Sequence, residues 1–564
     1  MEKSKYLYGA LVLVLCVMRF VFLDQDAPSY MVGGICQEDE AYYVTGAIER
    51  YNIDQGLFIE GTSQTDGEVL MLATVPLTYL SFKIFGDNYY GLRIPAVILS
   101  LLSLLLLLLI FRRNKGALAP IALFGFTLLL FFDFYFALFS RFQTPQIYSI
   151  FGISLLLWVL YRPDFEKPKY AILAGNISVL IVLLIYPYNA FASIAVGLMY
   201  CWKSIQLKNV KPLIFLGTGV VSGFILFHFF AQLVGSSLEN YLDLLTRIRS
   251  VRNETDLGIH SIKNSLFGIT NTNFLRYNLS YFLFLALGLI LMISEIKKDK
   301  KNTYLVFPLL CFVMAYVQGI FISSYPFKKW IVLFPLVITI VGYAISNLDK
   351  VIPLLKKRGN LLILFFFVFF AAYSFKVNNS PMYWSGFKYW YYENTPLWLN
   401  LINVGCLLLA LAAIVFRNKL SLAKYRIISI STLLITGFCL SYFYMYRSPE
   451  FEYRNTLTAM AADVDNKAIV GDFAHAYCFY NNSIPMLNPY RFVTDSLKEY
   501  YENLVDSNMV SGVSQYRLIN SDKDQDFDPE KLSAFINRGE FNLKIKKKYS
   551  ISKQSVYLLE INQE

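Results

Sequence analysis

Apolar residues in this chain run together in long stretches. They do not alternate as in a half-buried strand, nor recur every three or four positions as on an amphipathic helix. The first stretch covers residues 6–23, flanked by Lys3 and Lys5. Others cover 93–111, 117–137, 147–161, 170–186, 188–202, 213–234, 276–294, 303–321, 330–347, 360–374, 397–416 and 427–446. A helix needs about 20 mostly apolar residues to cross a bilayer, so these stretches predict an α-helical polytopic membrane protein with about thirteen spans. No small-residue cleavage site separates the first stretch from Asp24, so it reads as a retained anchor and not a signal peptide.

The loops between the stretches alternate in character. Segments 112–115, 162–169, 203–211, 297–301, 350–358 and 417–426 are short and basic, whereas 24–92, 235–275 and 375–396 are longer and mixed in charge. Basic loops stay in the cytoplasm, and one phase holds along the whole chain. It puts the amino terminus inside and residues 447–564 outside. From Ser448 the apolar runs shorten and charge returns, with strand-like segments at 467–470 and 556–560 and a helical one at 496–504. The chain divides accordingly into a membrane part, 1–446, with a long first outer loop, 24–92, and a small α/β extracytoplasmic domain, 447–564.

Composition sharpens this picture. Of the 564 residues 56% are hydrophobic and 16% charged, against about 25% charged in soluble domains. That excludes a soluble enzyme, a disordered chain and a secreted disulfide scaffold. The net charge of +11 follows from the basic inner loops, and no basic face with interleaved aromatics suggests nucleic acid. Cys16, Cys201, Cys311, Cys406 and Cys439 lie in apolar runs as small hydrophobes. Cys36 and Cys478 lie in polar segments, where pairing stays open. No metal-ligand spacing occurs, although scattered carboxylates leave a divalent ion open.

Candidate chemistry concentrates in the first outer loop. Glu38-Asp39-Glu40 stands beside Tyr42 and Tyr43, close to where lipid headgroups sit. Such a cluster is either a solvated loop start or a carboxylate half-buried against aromatics, whose raised pKa suits a general base. Residues 69–86 are too short and interrupted for a span, and counting them as one would invert every later loop; they read as an interfacial helix. Arg93, in Gly91-Leu92-Arg93-Ile94-Pro95, snorkels to lipid phosphate or holds a bound phosphate.

Asp39-Glu40-Ala41-Tyr42-Tyr43, the Pro76-Leu77-x-Tyr79-Leu80…Phe85-Gly86 segment and Leu92-Arg93-Ile94-Pro95, in that order, resemble the GT-C integral-membrane glycosyltransferases. The branch is that of the dolichyl-phosphate-mannose protein mannosyltransferases and the lipid A aminoarabinose transferases. The resemblance implies a multi-pass protein of the bacterial plasma (inner) membrane. It implies that a sugar passes with inversion from a polyprenyl-phosphate donor to a protein or glycolipid acceptor on the outer face. It makes Asp39 the general base and Glu40 a neighbouring orienting carboxylate, the two forming the catalytic pair. It implies no cofactor beyond the lipid-linked donor.

The leaving phosphate needs cations. Arg93, Arg141, Lys328 and Lys329 are the donor-phosphate candidates, with Arg247, Arg249 and Arg252 behind them and interfacial anchoring as the plain alternative for each. The chain departs from the family at Thr74-Val75-Pro76, where His-Pro-Pro is common, and at Gln146, where an Asp often stands. A lipid or oligosaccharide transporter or flippase is the alternative from another class. It calls for ionisable residues along several spans, and the spans here carry almost none.

Overall fold

The computed structural model of the protein describes residues 2–25, 72–113, 120–243, 278–321, 331–354, 397–416, 419–447 and 451–463, five strands beyond these, and single positions within 40–51, 245 and 364–372. Seven described helices are long and apolar enough to cross a membrane: Tyr89–Arg113, Pro168–Ile185, Pro187–Leu207, Lys211–Leu233, Ser280–Lys298, Leu397–Val415 and Leu422–Ser441. Shorter apolar helices run over Tyr8–Met18, Leu123–Phe132, Pro145–Leu160, Asn302–Gln318 and Ile331–Ser346. Each overlaps one of the apolar stretches of the sequence. The stretch at 360–374 lies mostly outside the described residues.

The elements that build the candidate site are α1 (Glu2–Met18), α2 (Thr74–Phe85), α3 (Tyr89–Arg113), α4 (Pro120–Phe132), α5 (Phe134–Phe139), α6 (Pro145–Leu160) and α7 (Pro168–Leu180). After these come α8 (Ala190–Leu207), α9 (Lys211–Leu233), α10 (Ser280–Lys298), α11 (Val306–Phe321), α12 (Phe334–Ser346), α13 (Leu397–Val415) and α14 (Leu422–Ser441). Proline opens α4, α6 and α7, a position where its missing N–H costs nothing. At 12 residues, α2 is about 18 Å long, too short to cross a hydrocarbon core. It turns into α3 through Gly86, at φ +84°, and Asn88. Asn88 Nδ2 donates to Phe85 O at the end of α2, and Asn88 Oδ1 accepts from the N–H groups of Tyr90 and Gly91 at the start of α3. One side chain thus caps two helices.

Lipid offers helices no hydrophobic reason to associate, so close backbone approach matters more. Helices α7 and α9 meet this way. A Cβ added to Gly219 would lie 2.1 Å from the Ile172 carbonyl oxygen, and one on Gly175 2.4 Å from that of Leu216.

The tail begins with α15 (Glu452–Ala462) and carries a five-stranded mixed sheet in the order β2-β1-β3-β5-β4. Strands β1 (Ala468–Val470), β2 (Ile484–Met486) and β3 (Val513–Ile519) pair in parallel, with β1 between the other two. β4 (Phe541–Ile551) and β5 (Gln554–Gln563) form an antiparallel hairpin whose β5 pairs with β3. The expected strands at 467–470 and 556–560 thus correspond to β1 and β5; the expected helix at 496–504 lies outside the described residues. Arg454 of α15 forms an ion pair with Asp24, just past α1, and Tyr90 donates to the same carboxylate at 3.3 Å.

Gly219→Ala should lower stability by about 1–3 kcal/mol, since its Cβ must push two backbones apart. Gly217→Ala, two residues along with nothing within 4 Å of its Cβ, should be neutral or stabilising. Thermal unfolding of both variants in one detergent checks the contrast, and equal melting temperatures would contradict it.

Candidate functional site

Two opposite charges meet where no water reaches them. Arg93, in the second turn of α3, and Glu40, in the loop between α1 and α2, are each 1% exposed and pair at 2.9 Å. Arg93 Nε also donates to both carboxylate oxygens, and Nη1 donates to the carbonyls of Leu23 and Gln25 at 2.8 and 2.7 Å. The guanidinium lies between the Tyr89 and Phe142 rings, 4.7 and 4.6 Å from their centroids. It therefore ties the end of the α1 segment, the α1–α2 loop and α3 into one unit. Burial raises the Glu40 carboxyl above its ordinary value, against the pull of Arg93 and of the Gln143 N–H.

Gln143 extends the unit. Its backbone N–H donates to Glu40 Oε1 at 2.8 Å, while its side-chain Nε2 donates to Thr78 Oγ1 of α2 at 2.9 Å and to Tyr148 Oη of α6 at 2.5 Å. The loop that carries Gln143, residues 140–144, owes its position to a break between α4 and α5. Asp133 caps α5 by accepting from the Phe136 N–H and also accepts from Tyr281 Oη at 2.7 Å. The carbonyls left over at the end of α4 all find partners. Leu129 O takes the Asp133 N–H, Leu130 O and Phe131 O take Arg19 Nη2, and Phe132 O takes Ser441 Oγ. Arg19 Nη1 reaches on to Ser140 Oγ at 3.2 Å.

Between these anchors sits Arg141, buried at 2% exposure. Its Nη2 donates to Val21 O, whereas its Nε and Nη1 are buried with no hydrogen-bond partner. Burial lowers its pKa to about 10, partly offset by Tyr446 and reinforced by Arg93 and Arg19. It stays charged at neutral pH, a cation with two donors to spare. Some of the other buried atoms without a partner lie on the segments that meet here: Gln25 Oε1, Ser81 Oγ, Gln143 Oε1 and Thr144 Oγ1. Buried polar atoms are rarely left so, and those in this region form a polar set suited to a ligand.

A second helix break lies alongside. After α7 the chain makes a π-turn, Ile181–Ile185, and Tyr186 is extended before Pro187. The released carbonyls are again satisfied: Ile181 O by Asn189 Nδ2, Val182 O by Tyr241 Oη, and Leu184 O by the Ala73 N–H at the foot of α2.

Of the residues singled out in the sequence, Glu40, Arg93 and Arg141 come together here. Asp39, Lys328, Lys329 and the 247–252 arginines lie outside the described residues. Gln146 is buried in the first turn of α6. The sequence reading passed over Gln143, Arg19 and Asp133. A charged residue inside an apolar run was the available signal for the last two, and Asp133 works as a helix cap rather than in a pathway. Among the described residues no group of three His, Cys, Asp or Glu side chains comes together.

No family model matches the sequence. The chain is 31% identical over 150 residues to an uncharacterized protein of Aquifex aeolicus, a match that spans 25% of this chain and 29% of that protein. Over nearly its whole length it resembles the crystal structure of ArnT from Cupriavidus metallidurans bound to undecaprenyl phosphate. The TM-score is 0.54 at 13% identity, with 98% of this chain and 97% of that one covered. Against the apo form of the same protein the values are 0.53, 14%, 99% and 98%. The chain thus has the GT-C-type polytopic fold that its loop motifs implied.

Breaking the buried pair from one side should be costly. Glu40→Gln or Arg93→Met alone should destabilise by about 3–5 kcal/mol, because each leaves an uncompensated buried charge, and the double variant by less than the sum. Chemical unfolding of all four proteins tests this, and strict additivity would show that the two groups do not act as a pair. Asp87, in the α2–α3 turn, offers a pH test. Its buried Oδ1 has no partner, and burial raises its pKa to about 8. The folded form holds this proton more tightly than the unfolded chain, so stability should fall as pH rises from about 4 through about 8. Asp87→Asn should flatten that part of the curve, and an unchanged slope would rule the group out.

Proposed function

We propose that this protein is an inverting glycosyltransferase that moves a sugar from a polyprenyl-phosphate donor to an acceptor on the outer side of the membrane. The observation that carries the reading is Arg141: a buried, charged guanidinium with two unpartnered donors, set among orphaned polar atoms beside the Glu40–Arg93 pair. A phosphate in this place would supply the missing acceptors and counter-charge. Similarity in fold to a protein crystallised with undecaprenyl phosphate supports the same ligand class.

Asp39, one residue before the anchored Glu40, takes the proton from the acceptor hydroxyl. The acceptor oxygen then attacks the anomeric carbon from the side opposite the phosphate. The carbon–oxygen bond to phosphate breaks, the configuration inverts, and polyprenyl phosphate leaves with the bonding electrons. Arg141 stabilises the charge that builds on the leaving phosphate, with Lys328 and Lys329 as further cations. Glu40 and Arg93 are positioning residues in this scheme. Their mutual contacts occupy them and fix the position of Glu40, the neighbour of Asp39 in the sequence. The tail, 447–564, forms an extracytoplasmic domain on the acceptor side, held to the site's edge through Arg454 and Asp24.

Membranes holding the wild type should transfer radiolabel from one of a panel of polyprenyl-phosphate sugars, and those holding Asp39→Asn should not. Arg141→Gln should lower kcat/KM by about 10²–10³ with the fold intact. Full turnover in Asp39→Asn would remove the mechanism, and no transfer by well-folded wild type from any donor would favour the transporter.

A further inference from the structure

Helix α3 runs from the candidate site to a second basic cluster. From Arg93 to Arg113 it rises about 30 Å, one hydrocarbon thickness, so the two clusters sit at opposite membrane edges. At the far end Arg113 of α3 and Arg162, just past α6, converge on one residue. Arg113 Nη1 donates to Trp158 O at 2.6 Å, and Arg162 Nη2 approaches the same oxygen at 3.4 Å. Both guanidiniums also lie over the Trp158 ring, 5.3 and 5.2 Å from its centroid. Arg162 stacks on Tyr170 at 3.9 Å, with Lys169 over the same ring at 4.8 Å.

Two guanidiniums on one ring and one carbonyl repel each other, and an anion between them would relieve that repulsion. Among the described residues no ion pair of either arginine with a carboxylate is formed. Asp164 is near enough to be felt by both arginines but pairs with Lys167 at 3.0 Å. Arg162 Nε is buried and without a hydrogen-bond partner. In the sequence segments 112–115 and 162–169, six basic residues stand against two acidic ones, Asp164 and Glu166.

We propose that this cluster is a binding site for the phosphodiester headgroup of an anionic membrane lipid. The phosphate lies against Arg113 and Arg162, the Trp158 and Tyr170 rings sit at headgroup depth, and the acyl chains run beside the exposed Leu102 and Leu105 of α3 into the bilayer. The planar guanidinium forks suit two oxygens of one phosphate. Nothing in this site touches the donor-phosphate region some 30 Å away along α3, so it is independent of the transferase reading.

Delipidated full-length protein titrated with phosphatidylglycerol, phosphatidylcholine or inorganic phosphate, read by native mass spectrometry, tests the proposal. Wild type should retain phosphatidylglycerol, and Arg113→Gln/Arg162→Gln should retain about tenfold less or lower still. Arg162→Lys, which keeps the charge and loses the fork, should fall between them. Equal retention by the double variant overturns the site. Equal retention of phosphatidylcholine, or displacement of the lipid by millimolar phosphate, overturns its assignment to an anionic lipid. Should the double variant not fold, Arg162→Gln alone carries the same comparison.

Discussion

Glu40 and Arg93 are each withdrawn from water almost completely, and a lone charge in that position would cost several kcal/mol. Each is tolerated only because the other is present, together with the Leu23 and Gln25 carbonyls and the Gln143 N–H. That mutual dependence fixes geometry. If the end of the α1 segment, the α1–α2 loop, the 140–144 loop or α3 drifts, a charge loses its partner. The pair holds four chain segments in one arrangement.

Around this pair the backbone is irregular, and each irregularity is answered. Where α4 gives way to α5, Arg19 and Ser441 take carbonyls that no helix can use, and Asp133 takes an N–H. Where α7 gives way to Pro187, Asn189, Tyr241 and Ala73 do the same. In hydrocarbon such groups have no water to turn to, so broken helices survive only where side chains replace it. Beside these satisfied breaks lie the spare donors of Arg141. Single buried polar atoms without a partner occur elsewhere among the described residues, but Arg141 alone among them has two, on a charged group, and that points to a ligand.

Much of the fold was legible because span length and loop charge are strong physical signals. Twelve of the thirteen apolar stretches overlap described helices, and the short 69–86 segment contains a helix of 12 residues, α2. The strands β1 and β5 were visible as apolar runs in a polar tail. The site was legible in part. Three acidic residues in a row beside tyrosines drew the eye to Glu40, and an arginine opening a span drew it to Arg93. That these two would spend their charges on each other was not readable, since their partnership crosses 53 positions. Gln143 carried no signal at all. Its part depends on a backbone N–H and on a helix break, and a break set by Asp133 within an apolar run looks from sequence like one continuous span.

The π-turn at Ile181–Ile185 has a further consequence. It holds the foot of α2 through Leu184 O and the Ala73 N–H, so the depth of that short helix is keyed to one extra residue of backbone. Removing any single residue from the turn would restore a regular helix, rotate the downstream chain by about 100° and carry the anchoring carbonyl away. This edge of the fold is therefore sensitive to residue count as well as to residue type. Substitutions through this apolar turn can be tolerated while a one-codon deletion is not, and drift within related sequences should be rich in exchanges and poor in gaps there.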